Sequence, residues 1–215
     1  MLTLGVLVSG SGTNLQAILD AVSARTLDAR VAVVISNKPG VFALERAAKA
    51  GVATEVLSHK AFASREAFDA ELVTRLRARG VDLVVLAGFM RIITPVLLDA
   101  FPRRIVNIHP SLLPAFPGVD AQGQALAAGV KITGCTVHFV DKGTDTGEVI
   151  VQAAVPVLAS DTHDTLRDRI LAMEHRVFPA ALQWIAEGRV RVEGRHVIVD
   201  GSQTGFAVSS PEVSR

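Results

Sequence analysis

Residues 2–15, Leu2-Thr-Leu-Gly-Val-Leu-Val-Ser-Gly-Ser-Gly-Thr-Asn-Leu15, set the reading of the whole chain. Leu2–Val8 is apolar enough to suit a strand buried on both faces, as parallel strands are. Asn14–Ala24 follows with Leu15, Ile18, Leu19 and Val22 at helical spacing. The glycines between them let backbone N–H groups converge on an anion, and the helix N-terminus adds its dipole. The plainer alternative is a tight turn with Thr13 or Asn14 as the helix cap. The sixth position of a Gly-x-Gly-x-x-Gly fingerprint is Leu15, and Val31–Ile35 ends in Ser36-Asn37-Lys38 rather than an acidic residue. Both features disfavour NAD, while Lys38 keeps an NADP-binding Rossmann protein as a weak rival.

The same rhythm continues outward. Helical patterns are expected at Val41–Ala50 and at Arg65–Arg79, where Phe68, Leu72 and Leu76 recur at spacing four. Strands are expected at Thr54–Leu57, Val81–Ala87 and Ile105–Ile108. Strand and helix alternating in this way predict a parallel sheet with helices on both faces. After residue 130 the polar loop Asp141–Gly147 joins Thr133–Val140 to Glu148–Val157, a spacing that suits an antiparallel hairpin. Asp164–Glu187 reads as the longest helix, with a stripe of Leu166, Ile170, Met173, Val177, Ala181 and Ile185 and an expected kink at Pro179. Arg189–Glu193 and His196–Val199 read as a terminal hairpin turned at Gly194. One domain over 1–200 is expected, in two halves of about 1–100 and 101–200, followed by a loosely held tail at 201–215.

The 215 residues carry a net charge of +1, with 49% hydrophobic and 20% charged residues. That balance offers no strong field for nucleic acid or an anionic membrane. The apolar run Leu83–Met90 is far shorter than a membrane span, and the N-terminus lacks the pattern of a signal peptide. Cys135 is the only cysteine, so no intrachain disulfide forms, and a reducing cytoplasm is the natural setting.

Three further stretches carry chemistry. In Ile105-Val-Asn107-Ile-His109-Pro110, Asn107 and His109 lie two apart and share one strand face, and Pro110 ends the ladder. In His138-Phe-Val-Asp141-Lys-Gly-Thr-Asp145-Thr-Gly147, either aspartate serves as a turn residue or orients His109, and spacing does not choose. In Leu86-Ala-Gly88-Phe-Met90-Arg91-Ile92-Ile93, a strand runs into an apolar loop that suits either core packing or a flat ring.

Taken in order, SGSGTN (9–14), AGFMRI (87–92), NIHPSLLP (107–114) and Gly134-x-x-x-x-Phe139-Val140 running into Asp145-x-Gly147 closely resemble the glycinamide ribonucleotide formyltransferases. The likeness spans roughly residues 2–200 and includes LERAAKAGV, SREAFD, PGVDAQGQAL and MEHRVFPAAL. It implies a Rossmann-like open twisted α/β sheet, with an antiparallel C-terminal part and one long helix, its first half of about 1–100 binding the nucleotide and its second of about 101–200 holding the folate and catalytic groups. It implies formyl transfer from 10-formyltetrahydrofolate to the amine of glycinamide ribonucleotide, with no tightly bound cofactor and no metal. Asn107, His109 and Asp145 then correspond to a catalytic trio, Gly12, Thr13 and Asn14 to a phosphate cradle, and Glu174 to a ribose contact. Arg65, Met90, Arg91, Ile92 and Ile93, with Asn107, Val140, Asp141 and Asp145, correspond to the folate cleft. Ala115, Gln122 and Gly123 depart from the basic or histidine residues of some relatives. The resemblance further implies small-molecule partners only, a monomer or homodimer, and a cytoplasmic enzyme. Methionyl-tRNA formyltransferase and formyltetrahydrofolate hydrolase are the rivals within formyl-folate chemistry.

Overall fold

The computed structural model describes residues 1–201. The tail expected from residue 201 therefore lies, from residue 202 on, outside the described residues. In chain order the elements are β1 (Leu2–Val8), α1 (Thr13–Ser23), β2 (Ala29–Ser36), α2 (Phe42–Lys49), β3 (Thr54–Val56), α3 (Arg65–Ala78), β4 (Leu83–Leu86), α4 (Pro95–Ala100) and β5 (Ile105–His109). There follow α5 (Ala121–Ala128), β6 (Ile132–Phe139), β7 (Val149–Pro156), α6 (His163–Ala186), β8 (Val190–Glu193) and β9 (His196–Val199).

Seven strands form one sheet in the order β3-β2-β1-β4-β5-β6-β7, and β8 and β9 form a separate antiparallel pair. Pairing is parallel from β3 to β5 and antiparallel from β5 to β7. The α/β architecture inferred from the sequence is therefore the one observed. Period-2 alternation sorts the side chains of the central strands. Leu4, Val6, Val8, Val34, Leu83 and Val85 join one hydrophobic core, with α1, α2 and α6 against it. Leu7, Val33, Ile35, Val84 and Leu86 join a second core, with Phe68, Leu72 and Leu76 of α3. Burial on both faces is why these strands read as continuous apolar runs.

The chain grows outward from β1 to β2 and β3, then crosses back to β4 on the other side of β1. The crevice between β1 and β4 is thus the topological switch point, where ligands of open α/β sheets bind. The Ser9 N–H donates to the Gly88 carbonyl across it at 3.0 Å.

Three differences from the sequence reading have physical causes. The fourth parallel strand is Leu83–Leu86 rather than Val81–Ala87, because pairing with β1 covers only Leu83 to Leu86. In the long helix, His163–Ala186 with Pro179 inside it, Phe178 and Leu182 take core positions alongside Leu166, Ile170 and Ala181, while Met173, Val177 and Ile185 are only partly buried, because the core meets the helix along a shifted face. The short helices α4 and α5 were not expected. α4 begins with Pro95 in its first turn, and α5 is capped by the Asp120 carboxylate, which accepts from Gly123 N at 3.2 Å. No helix among the described residues is long and apolar enough to cross a membrane.

Candidate functional site

Two cavities flank the end of β5. The larger, about 640 Å³, is lined by Ser9–Asn14, Ala87, Gly88, Met90, Ile108, Pro110, Gln122, Arg167, Asp168, Leu171 and Glu174. The second is lined by Leu86, Phe89, Arg91, Ile92, Ile93, Asn107, His138, Val140, Asp141, Gly143, Thr144 and Asp145. Asn107 thus faces one cavity, while Ile108 and Pro110 face the other, so the strand end is their shared wall.

The larger cavity is built around the start of α1. Gly12 occupies the cap position with φ 71°, in the left-handed region, and no side chain caps the helix. The alternative that Thr13 or Asn14 serves as the cap is not realised, because both lie inside the first turn. The first-turn N–H groups of a helix have no intrahelical acceptor, so they remain for a ligand. Arg46 ties the loop from behind, its Nε donating to Ser11 O at 2.9 Å. Arg167 is the one basic side chain lining the cavity among the described residues, and it is paired with Asp164 and Asp168. An anion there is therefore met mainly by backbone donors and the helix dipole.

Asn14 and Glu174 meet across this cavity. Asn14 Nδ2 donates to Glu174 Oε2 at 2.6 Å, while the buried Asn14 Oδ1 has no partner among the described residues. Glu174 is 6% exposed. Burial raises its carboxyl pKa above the ordinary glutamate range, and the Asn14 amide draws it partly back. The folded chain thus holds this proton at pH values where the unfolded chain has lost it. Stability falls as pH rises from the unfolded glutamate value, about 4.3, through the raised folded one. Glu174→Gln is expected to be more stable than the parent at neutral pH and indistinguishable from it below about pH 4, as read by thermal melts across pH.

The polar residues singled out in the sequence meet at the wall of the second cavity and directly behind it. Asp145 Oδ2 lies 3.4 Å from His109 Nδ1, and Asp145 Oδ1 lies 3.8 Å from His138 Nε2. Asn107 Nδ2 lies 3.2 Å from His138 Nε2. The choice between the two aspartates is resolved by geometry. Asp141 Oδ1 accepts from Gly143 N at 3.0 Å and from Thr146 Oγ1 at 2.7 Å, so it closes the turn. Asp145 is the one that reaches His109. It adopts φ 56°, which aspartate tolerates better than most residues, and Oδ2 also accepts from Gly118 N at 2.8 Å.

The route of the loop was not legible in the sequence. Because β6 is antiparallel to β5, Phe139 pairs with Val106, and Val140 N donates to Ile105 O at 2.9 Å. The chain leaves β6 beside the start of β5, and Asp145 returns over the strand. Gly147 closes this excursion. A Cβ there would run into the Phe139 carbonyl oxygen, so the spacing Asp145-x-Gly147 is a steric requirement.

Several residues stand differently from expectation. His109 is only 4% exposed and lines neither cavity, and its Nε2 donates to Phe116 O at 2.8 Å. It sits one layer behind Asp145, because the loop after Pro110 folds the Phe116 carbonyl over the ring. Met90 lines the larger cavity rather than the second. Arg91 lines the second cavity, with its guanidinium carbon 4.9 Å from the centre of the Phe68 ring. Arg65 lies on the exposed first turn of α3, which Ser64 caps, and lines neither cavity. Ile92, Ile93, Val140 and Asp141 line the second cavity, and Gly12, Thr13, Asn14 and Glu174 the larger one. Lys38 is exposed and lines neither, so the NADP reading gains no support from it. Two residues were assigned no role from sequence. His138 opposes Asn107 in register across β5 and β6, which local periodicity does not reveal. The buried Asp69 carboxylate, 2% exposed, accepts from Thr94 N at 2.6 Å and braces the loop that walls the second cavity.

An open α/β sheet with a glycine loop at its switch point, and an amide, carboxylate and imidazole gathered beside it, is the layout of a Rossmann-like protein with a ligand site at the strand ends. The chain belongs to the formyl transferase family, whose pattern matches residues 3–182. It is 45% identical over 198 residues to the phosphoribosylglycinamide formyltransferase of Escherichia coli, covering 92% of this chain and 93% of that one. It is 56% identical over 185 residues to the trifunctional purine biosynthetic protein adenosine-3 of Drosophila melanogaster, covering 85% of this chain and 14% of that protein's length. The fold matches the crystal structure of glycinamide ribonucleotide transformylase 1 from Symbiobacterium toebii with a TM-score of 0.92 and 58% identity, covering 93% and 94% of the two chains.

Proposed function

We propose that this chain, as one cytoplasmic domain over residues 1–200, transfers the formyl group of 10-formyltetrahydrofolate to the amine of N1-(5-phospho-D-ribosyl)glycinamide in de novo purine biosynthesis. The carrying observation is the shared wall at β5. A cavity suited to a phosphorylated ligand and a cavity with an amide and a carboxylate open on either side of residues 107–110. Held there, an amine and a formyl carbon meet without diffusing, an advantage that reaches roughly 7–11 kcal/mol in well-oriented reactions.

The phosphate rests on the Gly12–Asn14 cradle, and a ribose hydroxyl donates to the free Asn14 Oδ1 or to Glu174. Folate lies along Arg91–Ile93 and Val140–Asp145. The amine attacks the formyl carbon, and an Asn107 N–H stabilises the resulting oxyanion. Removing one such donor typically costs about 3 kcal/mol of transition-state binding. The C–N bond to folate then breaks, and the proton lost by the amine reaches the folate nitrogen. Asp145, which lines the cavity, takes that proton and hands it on, and His109 behind it holds the carboxylate in place.

The test is an assay of the purified chain with the formyl-folate donor, followed by the change in folate absorbance. Turnover that requires the nucleotide and yields its N-formyl product supports the reading. Nucleotide-independent release of formate identifies a hydrolase instead, and transfer to methionyl-tRNA identifies the third activity.

A further inference from the structure

We propose that His138 is a positioning residue for Asn107, its unprotonated ring nitrogen accepting one amide N–H and so fixing which end of the carboxamide meets the reacting groups. The inference deepens the reading above and rests on Asn107 acting in the second cavity.

The argument begins with the ring's other nitrogen. His138 Nδ1 lies 2.8 Å from Phe139 O. A nitrogen facing a carbonyl at that distance carries the proton, because two lone pairs would otherwise oppose each other. In the neutral ring, Nε2 is then an acceptor only. The Asn107 amide stands 3.2 Å from Nε2. An amide oxygen at that position would be repelled, so the amide nitrogen is the atom held there. The two residues are direct cross-strand partners, Asn107 on β5 and His138 on β6, which keeps the groups in reach on rigid backbone.

The surroundings keep the ring neutral. His138 is 1% exposed. Burial depresses its pKa, and the nearby His109 acts in the same direction, while the Phe139 carbonyl, Asp145 and Asp141 oppose it. With one amide N–H committed to His138, Asn107 offers its second N–H and its oxygen to ligands. The N–H suits the oxygen of a formyl group becoming an oxyanion, and the amide oxygen suits an N–H of the attacking amine. A reversed carboxamide would place like against like at both contacts.

Nitrogen NMR on the full chain, with labelled histidine and asparagine side chains, tests the arrangement without any substrate. The expected result at neutral pH is His138 protonated on Nδ1 alone, with scalar coupling across the hydrogen bond from Asn107 Nδ2 to His138 Nε2. A ring protonated on Nε2, or the absence of that coupling, overturns the proposal, and it does so whether or not the chain transfers formyl groups. A kinetic cycle supplies the second arm. His138→Ala is expected to lower kcat about tenfold in the parent, with little change in either KM, and by less than about twofold in the Asn107→Ala background. His138→Gln, whose amide oxygen can accept the same N–H, is expected to recover part of the loss. Losses that multiply independently in the double variant refute the link to Asn107.

Discussion

Asp145→Asn is expected to lower kcat by about 10²- to 10⁴-fold while leaving both KM values within a few-fold of the parent. The substitution is close to isosteric, and the new side chain still offers an oxygen to the Gly118 N–H that Asp145 holds at 2.8 Å. The loop therefore keeps its course. What disappears is the negative charge 3.4 Å from His109 Nδ1, and with it the group that takes the proton. His109→Ala is expected to match this loss, because the imidazole holds the carboxylate, the two groups act as one unit and their effects are not additive. Steady-state kinetics of both single variants and the double variant, with melting temperatures alongside, checks the result. Near-parent turnover by Asp145→Asn would remove the carboxylate from the proton path and leave it as a loop anchor.

Gly12→Val is expected to abolish nucleotide saturation in the accessible concentration range. Gly12 sits at φ 71°, where a side chain costs about 1–2 kcal/mol. A Cβ there would also stand 2.6 Å from Ala43 Cβ and 2.7 Å from Ala43 Cα, and the latter belongs to backbone that cannot turn away. The loop must move off α2, and the N–H groups at the head of α1 lose their convergence. Loss of even one or two charge-assisted bonds, about 2–3 kcal/mol, raises the nucleotide KM roughly 30- to 150-fold. Folate affinity, measured by fluorescence titration, should change far less, since the second cavity contains none of these residues. Nucleotide affinity equal to that of the parent would mean that the phosphate binds elsewhere.

Much of the fold was legible in the sequence because its signals are local. Leu2–Val8, the glycine loop and the first amphipathic helix declare a strand–loop–helix unit within twenty-odd residues, and the hairpin after residue 130 declares itself by the length of its loop. α5 was hidden because its sequence, Ala121–Ala128, has no apolar stripe and carries Gly123 in its first turn, where a Cβ would strike the Asp120 carboxylate. The site divides the same way. Asn107 and His109 were readable from alternation along one strand. The choice of Asp145 over Asp141 was not, since both lie in one polar loop and differ only in how that loop turns back. The screening of His109 by Phe116 O depends on a segment with positive φ at Phe116, Gly118 and Asp120, a path that no periodicity describes. The pairing of His138 with Asn107 needs the strand order as well, because β6 lies beside β5 only after the sheet reverses direction.

Ser9 is a single hydroxyl with two obligations. Its proton goes to Asn37 Oδ1 at 2.6 Å, and its oxygen receives the Met90 N–H at 2.9 Å. One obligation fastens the head of the glycine loop to the tip of β2, and the other fastens the segment leading into the wall of the second cavity. The two seats are therefore mounted on one joint rather than on two parts that swing. The spacing between the two cavities is set at that joint, like the jaws of a caliper.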